Sequence, residues 1–73
     1  MSVFSDNIKK LRKVKGVTQK QLAEELNISE NGFQNYELDT RKPYNDILIA
    51  LADYFDVSID YLVGRTDKPE INK

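Results

Sequence analysis

The chain has 73 residues, 40% of them apolar and 32% charged, a balance that gives one globular domain with a thin core and excludes a disordered chain. It contains neither cysteine nor histidine, which excludes disulfides and thiolate or imidazole metal sites, and no cofactor is expected. The net charge of −1 argues against the uniformly basic surface usual in nucleic-acid binders, so any such role must rest on how the charge is distributed.

No segment has the alternation or β-branched density of a strand, and the helical signals are strong. Phe4, Ile8 and Leu11 recur at helical spacing with Val14 near the same stripe, which predicts a first helix from Ser2 or Ser5 to Lys15, stopped by Gly16. Next comes V-T-Q-K-Q-L, a dense start signal. Thr18 can cap, Gln21 can complete a capping box, and Val17 and Leu22 sit where a hydrophobic staple belongs. The second helix then runs to about Leu26, with Leu22, Ala23 and Leu26 inward, and Asn27 suits the left-handed stop.

The same grammar repeats at once. Ser29 can cap, and Ile28 and Phe33 form the next staple, so a third helix follows a turn of about three residues. Pro43 keeps the next segment non-helical before a fourth helix from Asn45 or Asp46 to Phe55, burying Leu48, Leu51, Ala52 and Phe55. Ser58 caps a fifth helix, with Val57 and Leu62 as its staple and Gly64 as its stop. The predicted class is therefore all-α, a five-helix domain over residues 1–65 with a flexible C-terminal tail at 66–73, frayed or ordered by a partner.

The third helix, S-E-N-G-F-Q-N-Y-E, is an unusual use of a helix in so small a chain. Steps of about 100° put Gly32, Phe33 and Tyr36 on one side and Glu30, Asn31, Gln34, Asn35 and Leu38 on the other. The outward face is a row of short polar groups with no nucleophile. Amides place a donor beside an acceptor, which matches the edge of adenine in the major groove, and Glu30 could accept from the amine of cytosine. A plain solvated face is the competing explanation, and Glu30 also suits a helix N-terminus on charge alone. Asparagine is a weak helix former, however, and a solvated face would more often use Lys, Glu, Gln or Ala. Gly32 costs about 1 kcal/mol of helix propensity, and its use would be a close approach by a neighbouring helix or by DNA backbone. Two helices joined by a short turn, with successive staples, form a helix-turn-helix whose second helix enters the major groove.

Charge supports this reading. Residues 1–20 carry Lys9, Lys10, Arg12, Lys13, Lys15 and Lys20 against Asp6 alone, while residues 21–39 carry five acids and no base. Arg41 and Lys42 follow as a basic pair. A basic face on an acidic body is thus available. Lys9, Lys10 and Lys13 are most simply solvated.

The run T-Q-K-Q-L-A-E-E-L-N-I-S-E-N-G-F-Q-N-Y-E resembles the helix-turn-helix of the Cro and lambda-repressor-like family, also called the XRE family. L-A-D-Y-F-D-V-S-I-D-Y-L-V-G-R, residues 51–65, resembles that family's fourth and fifth helices. The resemblance covers Phe4 to Arg65. It implies a five-helix domain that binds operator DNA as a homodimer on a palindrome, as a transcriptional regulator and most simply a repressor of phage or mobile-element type. It implies base-reading positions at Glu30, Asn31, Gln34 and Asn35. Phosphate contacts are implied at Gln19, Ser29, Arg41 and Lys42, and an ion pair between Arg12 and Glu37. Three positions depart from the family pattern. Asn27 stands where Gly is common, Gly32 where Ala, Ser or Thr is usual, and Leu38-Asp39 where a polar-Gly pair is usual.

Other groups give little. Asp53, Asp56 and Asp60 lack the alternating ligands and central Gly of a calcium loop. Thr18, Ser29 and Ser58 are caps, and no side chain supplies an activated base, so no enzyme is expected. Ile59 and Val63 carry apolar area that a small core leaves uncovered, which makes them the dimer candidates. The longest apolar run, residues 47–52, is too short for a membrane span, and the N-terminus lacks the basic flank and apolar core of a signal peptide. A cytoplasmic protein without a membrane partner is expected. Two alternatives stay open: a protein-interaction module of the same fold, antitoxin-like or the target of an anti-repressor, and the N-terminal domain of a longer repressor.

Overall fold

The computed structural model describes residues 2–70. Its elements are α1 (Val3–Lys15), α2 (Gln19–Glu25), α3 (Glu30–Glu37), α4 (Asn45–Phe55) and α5 (Ile59–Leu62), with no strand among the described residues. Four of the five helices begin with a side-chain cap. The hydroxyls of Ser2, Thr18, Ser29 and Ser58 accept from the backbone N–H of Ser5, Gln21, Gly32 and Tyr61. Each bond satisfies one of the donors that a helix N-terminus leaves over. At Thr18 the box is complete, because its own N–H donates to Gln21 Oε1 at 2.8 Å. Of the two expected starts, Ser2 is thus the cap of α1, and Ser5 is buried within the helix, its hydroxyl donating to the Ser2 carbonyl at 3.0 Å. α4 has Tyr44 at its N-cap position and no side-chain cap.

The stops are left-handed residues. Gly16 (φ 76°) ends α1 and Gly64 (φ 84°) follows α5. Asn27, Asp39 and Asp56 hold φ near +60°, at 58°, 62° and 56°. Asp39 therefore does the conformational work of the glycine usual after α3. Its carboxylate also accepts from Ser2 N–H at 3.0 Å, which ties the exit of α3 to the start of α1.

The core is formed by Ile8, Leu22, Ala23, Leu26, Phe33, Tyr36, Leu51, Ala52, Val57 and Leu62. All three expected staple pairs, Val17–Leu22, Ile28–Phe33 and Val57–Leu62, lie in or against it. Two expectations need correction. Val14 is 78% exposed, because steps of about 100° carry it off the Phe4–Ile8–Leu11 stripe in the last turn of α1. On α4, Leu51 and Ala52 are buried, but Leu48 and Phe55 are only half-buried, since the helix turns a narrower stripe inward.

Polar bonds tie α1 to the C-terminal end of the domain. Asn7 Nδ2 donates to the carbonyls of Tyr61 (2.8 Å) and Leu62 (3.3 Å) at the end of α5. Lys15 Nζ lies 4.2 Å from the centre of the Tyr54 ring and donates to the Tyr54 carbonyl at 3.2 Å. The segment after Gly64 folds back, with Ser58 N–H donating to the Pro69 carbonyl at 2.9 Å. Of the expected tail, Ile71 to Lys73 lie outside the described residues.

Candidate nucleic-acid interface

α2 and α3 pack on each other, joined by Leu26–Asn27–Ile28 and the Ser29 cap. α3 anchors itself with Phe33, Tyr36 and Glu37, all buried. That leaves its N-terminal turn outside: Ser29, Glu30 and Asn31 are exposed. Gln34 and Asn35, one turn on, are half-buried. Arg41 and Lys42 are exposed in the connection between α3 and α4, next to the exit of α3.

Glu37 lies at the root of α3 and is nearly closed to solvent. Its carboxylate accepts from Arg12 Nε at 2.6 Å, and the two side chains are 4% and 15% exposed. Arg12 Nη2 adds a longer bond to Glu37 Oε1 (3.4 Å), and Nη1 donates to the Val17 carbonyl (3.0 Å). A buried carboxylate is thereby paired and hydrogen-bonded, as it must be to remain charged inside a small core.

Gln19 is not a free surface residue. It is half-buried at the first position of α2. Its Nε2 donates to Glu37 Oε1 at 2.8 Å, and its Oε1 accepts from Gln34 Nε2 at 3.1 Å. The structure therefore joins four of the expected residues, Arg12, Glu37, Gln19 and Gln34, in one polar chain through three helices. Helical spacing alone gave no sign of this, because it depends on how α2 crosses α3. At Asn35, Oδ1 lies 3.2 Å from the Thr40 hydroxyl, and so does the Asn35 carbonyl. Thr40 was not among the expected site residues.

Gly32 does not serve the close approach of a neighbouring helix. A Cβ there would meet the Ser29 hydroxyl at 3.0 Å, and no neighbouring helix. The residue leaves room for the cap to which its own N–H donates.

The two dimer candidates fall in different grooves. Ile59, 39% exposed, sits with Ile49, Ala52 and Val57, whereas Val63, 38% exposed, sits with Val3, Phe4, Pro43 and Leu48. Among the described residues no helix is long and apolar enough to cross a membrane.

The comparisons agree with this architecture. The family model described as "Helix-turn-helix domain" matches residues 6–68. The HTH-type transcriptional regulator ImmR of Bacillus subtilis (strain 168) is 42% identical over 66 residues, covering 90% of this chain and 52% of that protein. The crystal structure of a transcriptional regulator from Listeria innocua superposes with a TM-score of 0.80 at 36% identity, over 96% of this chain and 61% of that one. The DNA-binding domain of the P22 c2 repressor (residues 1–76), solved in solution, superposes with a TM-score of 0.79 at 25% identity, over 94% of this chain and 90% of that one. The chain spans 52% to 61% of the length of three curated relatives it matches. It belongs to the helix-turn-helix domain family, among the Cro and lambda-repressor-like regulators.

Proposed function

We propose that this chain is a sequence-specific DNA-binding transcriptional regulator, acting as a repressor on a palindromic operator that it binds as a homodimer. The observation that carries the reading is the N-terminal turn of α3. It is exposed and presents Glu30 and Asn31 outward, and the connection that leaves the other end of α3 carries the exposed pair Arg41 and Lys42. A helix so mounted offers base-edge chemistry at its tip and phosphate contacts at its side. Glu30, Asn31, Gln34 and Asn35 are the base-facing set, and Ser29, Gln19, Arg41 and Lys42 the backbone-facing set. Residues 1–65 are the DNA-binding unit and 66–73 its C-terminal tail. Repression follows from covering a promoter, in the cytoplasm where such DNA lies, with no catalytic step. The relatives' names support regulation of transcription, and the P22 c2 protein is named a repressor.

Selection from a pool of random duplex DNA tests this. The expected result is a palindrome with half-sites about one helical turn apart. No enrichment by folded, concentrated protein would overturn the reading, and the α3 face would then be solvated or meet another protein. The net charge of −1 is the one observation that favours a protein partner, such as an anti-repressor. On that reading, replacing Asn31 and Asn35 by Ala leaves DNA selection without effect.

A further inference from the structure

The polar chain from α1 to the face of α3 has a direction, and the direction is forced. A carboxylate only accepts hydrogen bonds. Glu37, 3% exposed, therefore turns the NH2 of Gln19 toward itself, at 2.8 Å. That places the Gln19 carbonyl at the other end of the same amide, facing Gln34. A carbonyl also only accepts, so Gln34 must present its NH2 to it, at 3.1 Å. Side-chain amides can ordinarily flip, since their two ends are alike in size and either can bond. Here one carboxylate removes that freedom from two amides in series. Gln34 Oε1 takes no hydrogen bond from the described residues, and among these residues no fully buried side-chain oxygen lacks a partner, so this oxygen is not closed off from solvent.

Asn35 is a useful contrast. Its neighbour is the Thr40 hydroxyl, which both donates and accepts and also reaches the Asn35 carbonyl at 3.2 Å. A hydroxyl that can accept as well as donate does not impose on the Asn35 amide the single polarity that a carboxylate imposes.

We propose that Glu37, acting through Gln19, is a positioning residue that fixes the polarity of Gln34, so that Gln34 meets the major groove with its acceptor and selects a base whose edge donates. This rests on the operator-reading function proposed above. The donating edges are N6 of adenine and N4 of cytosine, whereas guanine and thymine offer only acceptors there. Gln19 is then more than a phosphate contact, because the identity of its groups is read out one helix away.

The test is selection from a random duplex DNA pool with the wild-type chain and with Gln34→Ala and Gln19→Lys, each checked for folding by a circular dichroism melt. In the wild type, one position per half-site is expected to favour A or C over G and T by roughly tenfold. Gln34→Ala identifies that position by making it degenerate. Lysine at position 19 has only donors. It keeps the bond to Glu37 but offers Gln34 a donor, which turns the Gln34 carbonyl inward and its NH2 outward. The preference at that one position is then expected to invert toward G or T, with the other positions unchanged. A uniform rise in affinity with an unchanged motif would overturn the proposal and leave Gln19 a simple backbone contact. If Gln19→Lys fails to fold, Gln19→Leu serves instead, and loss of preference at that position alone is the expected result. An unchanged motif with Gln34→Ala overturns the proposal independently. No motif with the wild type overturns the function itself, which separates the two failures.

Discussion

At the scale of single residues, the Arg12–Glu37 pair and Gly64 carry the largest expected effects. Glu37→Leu leaves the Arg12 guanidinium, 15% exposed, without its carboxylate, and an unpaired charge at such depth costs about 3 kcal/mol. Combining it with Arg12→Met removes both charges, and the double variant is expected to recover most of that loss in urea unfolding. Recovery of nothing would mean that the bonds to Gln19 and Val17, not the ion pair, carry the energy. Gly64 is held by two constraints at once. Its φ of +84° is unfavourable for any residue with a Cβ, and that Cβ would lie 2.8 Å from Val3 Cγ1. Gly64→Ala is therefore expected to cost about 2 kcal/mol, from the left-handed strain plus displacement of Val3. Denaturant midpoints with an unchanged slope would show that stability alone moved.

At the scale of helices, start signals were legible because they are local. A cap, the residue three positions on and the staple around them are fixed within one turn of chain. Thr18 with Gln21, and Ser29 and Ser58 alone, could be read for that reason. Stops were less legible where the left-handed residue is not glycine, as at Asp39 and Asp56. Aspartate tolerates that conformation but does not announce it. Asp56 makes no side-chain hydrogen bond to the described residues, so it holds φ 56° at a cost with no return from its carboxylate. Asp56→Gly is expected to stabilise the chain by about 0.5 kcal/mol, read as a higher melting temperature. The interhelical polar bonds were not legible at all. Asn7 looks like any exposed asparagine of α1 until α5 is seen to end against it. Gln19 reads as a surface residue until α3 crosses above it. Spacing along one helix gives a face, and only the crossing of two helices says what that face touches.

At the scale of the whole molecule, charge sets the expected behaviour on DNA. α2 and α3 carry an exposed acidic set, Glu24, Glu25 and Glu30, and the exposed bases of the same part of the chain are Lys20, Arg41 and Lys42. Glu37 adds nothing to the field at the surface, because Arg12 neutralises it inside. About three bases per protomer can then neutralise phosphates, so a dimer would release roughly the counterions of six contacts. The logarithm of the association constant should fall with the logarithm of salt concentration with a slope of about −5. Binding titrations against the selected operator at several salt concentrations measure that slope directly. A slope steeper than about −7 corresponds to eight or more phosphates. It would require the α1 lysines to reach the backbone, and the docking of α3 would have to tilt toward α1. A slope near the expected value instead leaves most of the specific affinity to the face of α3, which is where a chain of net charge −1 must find it.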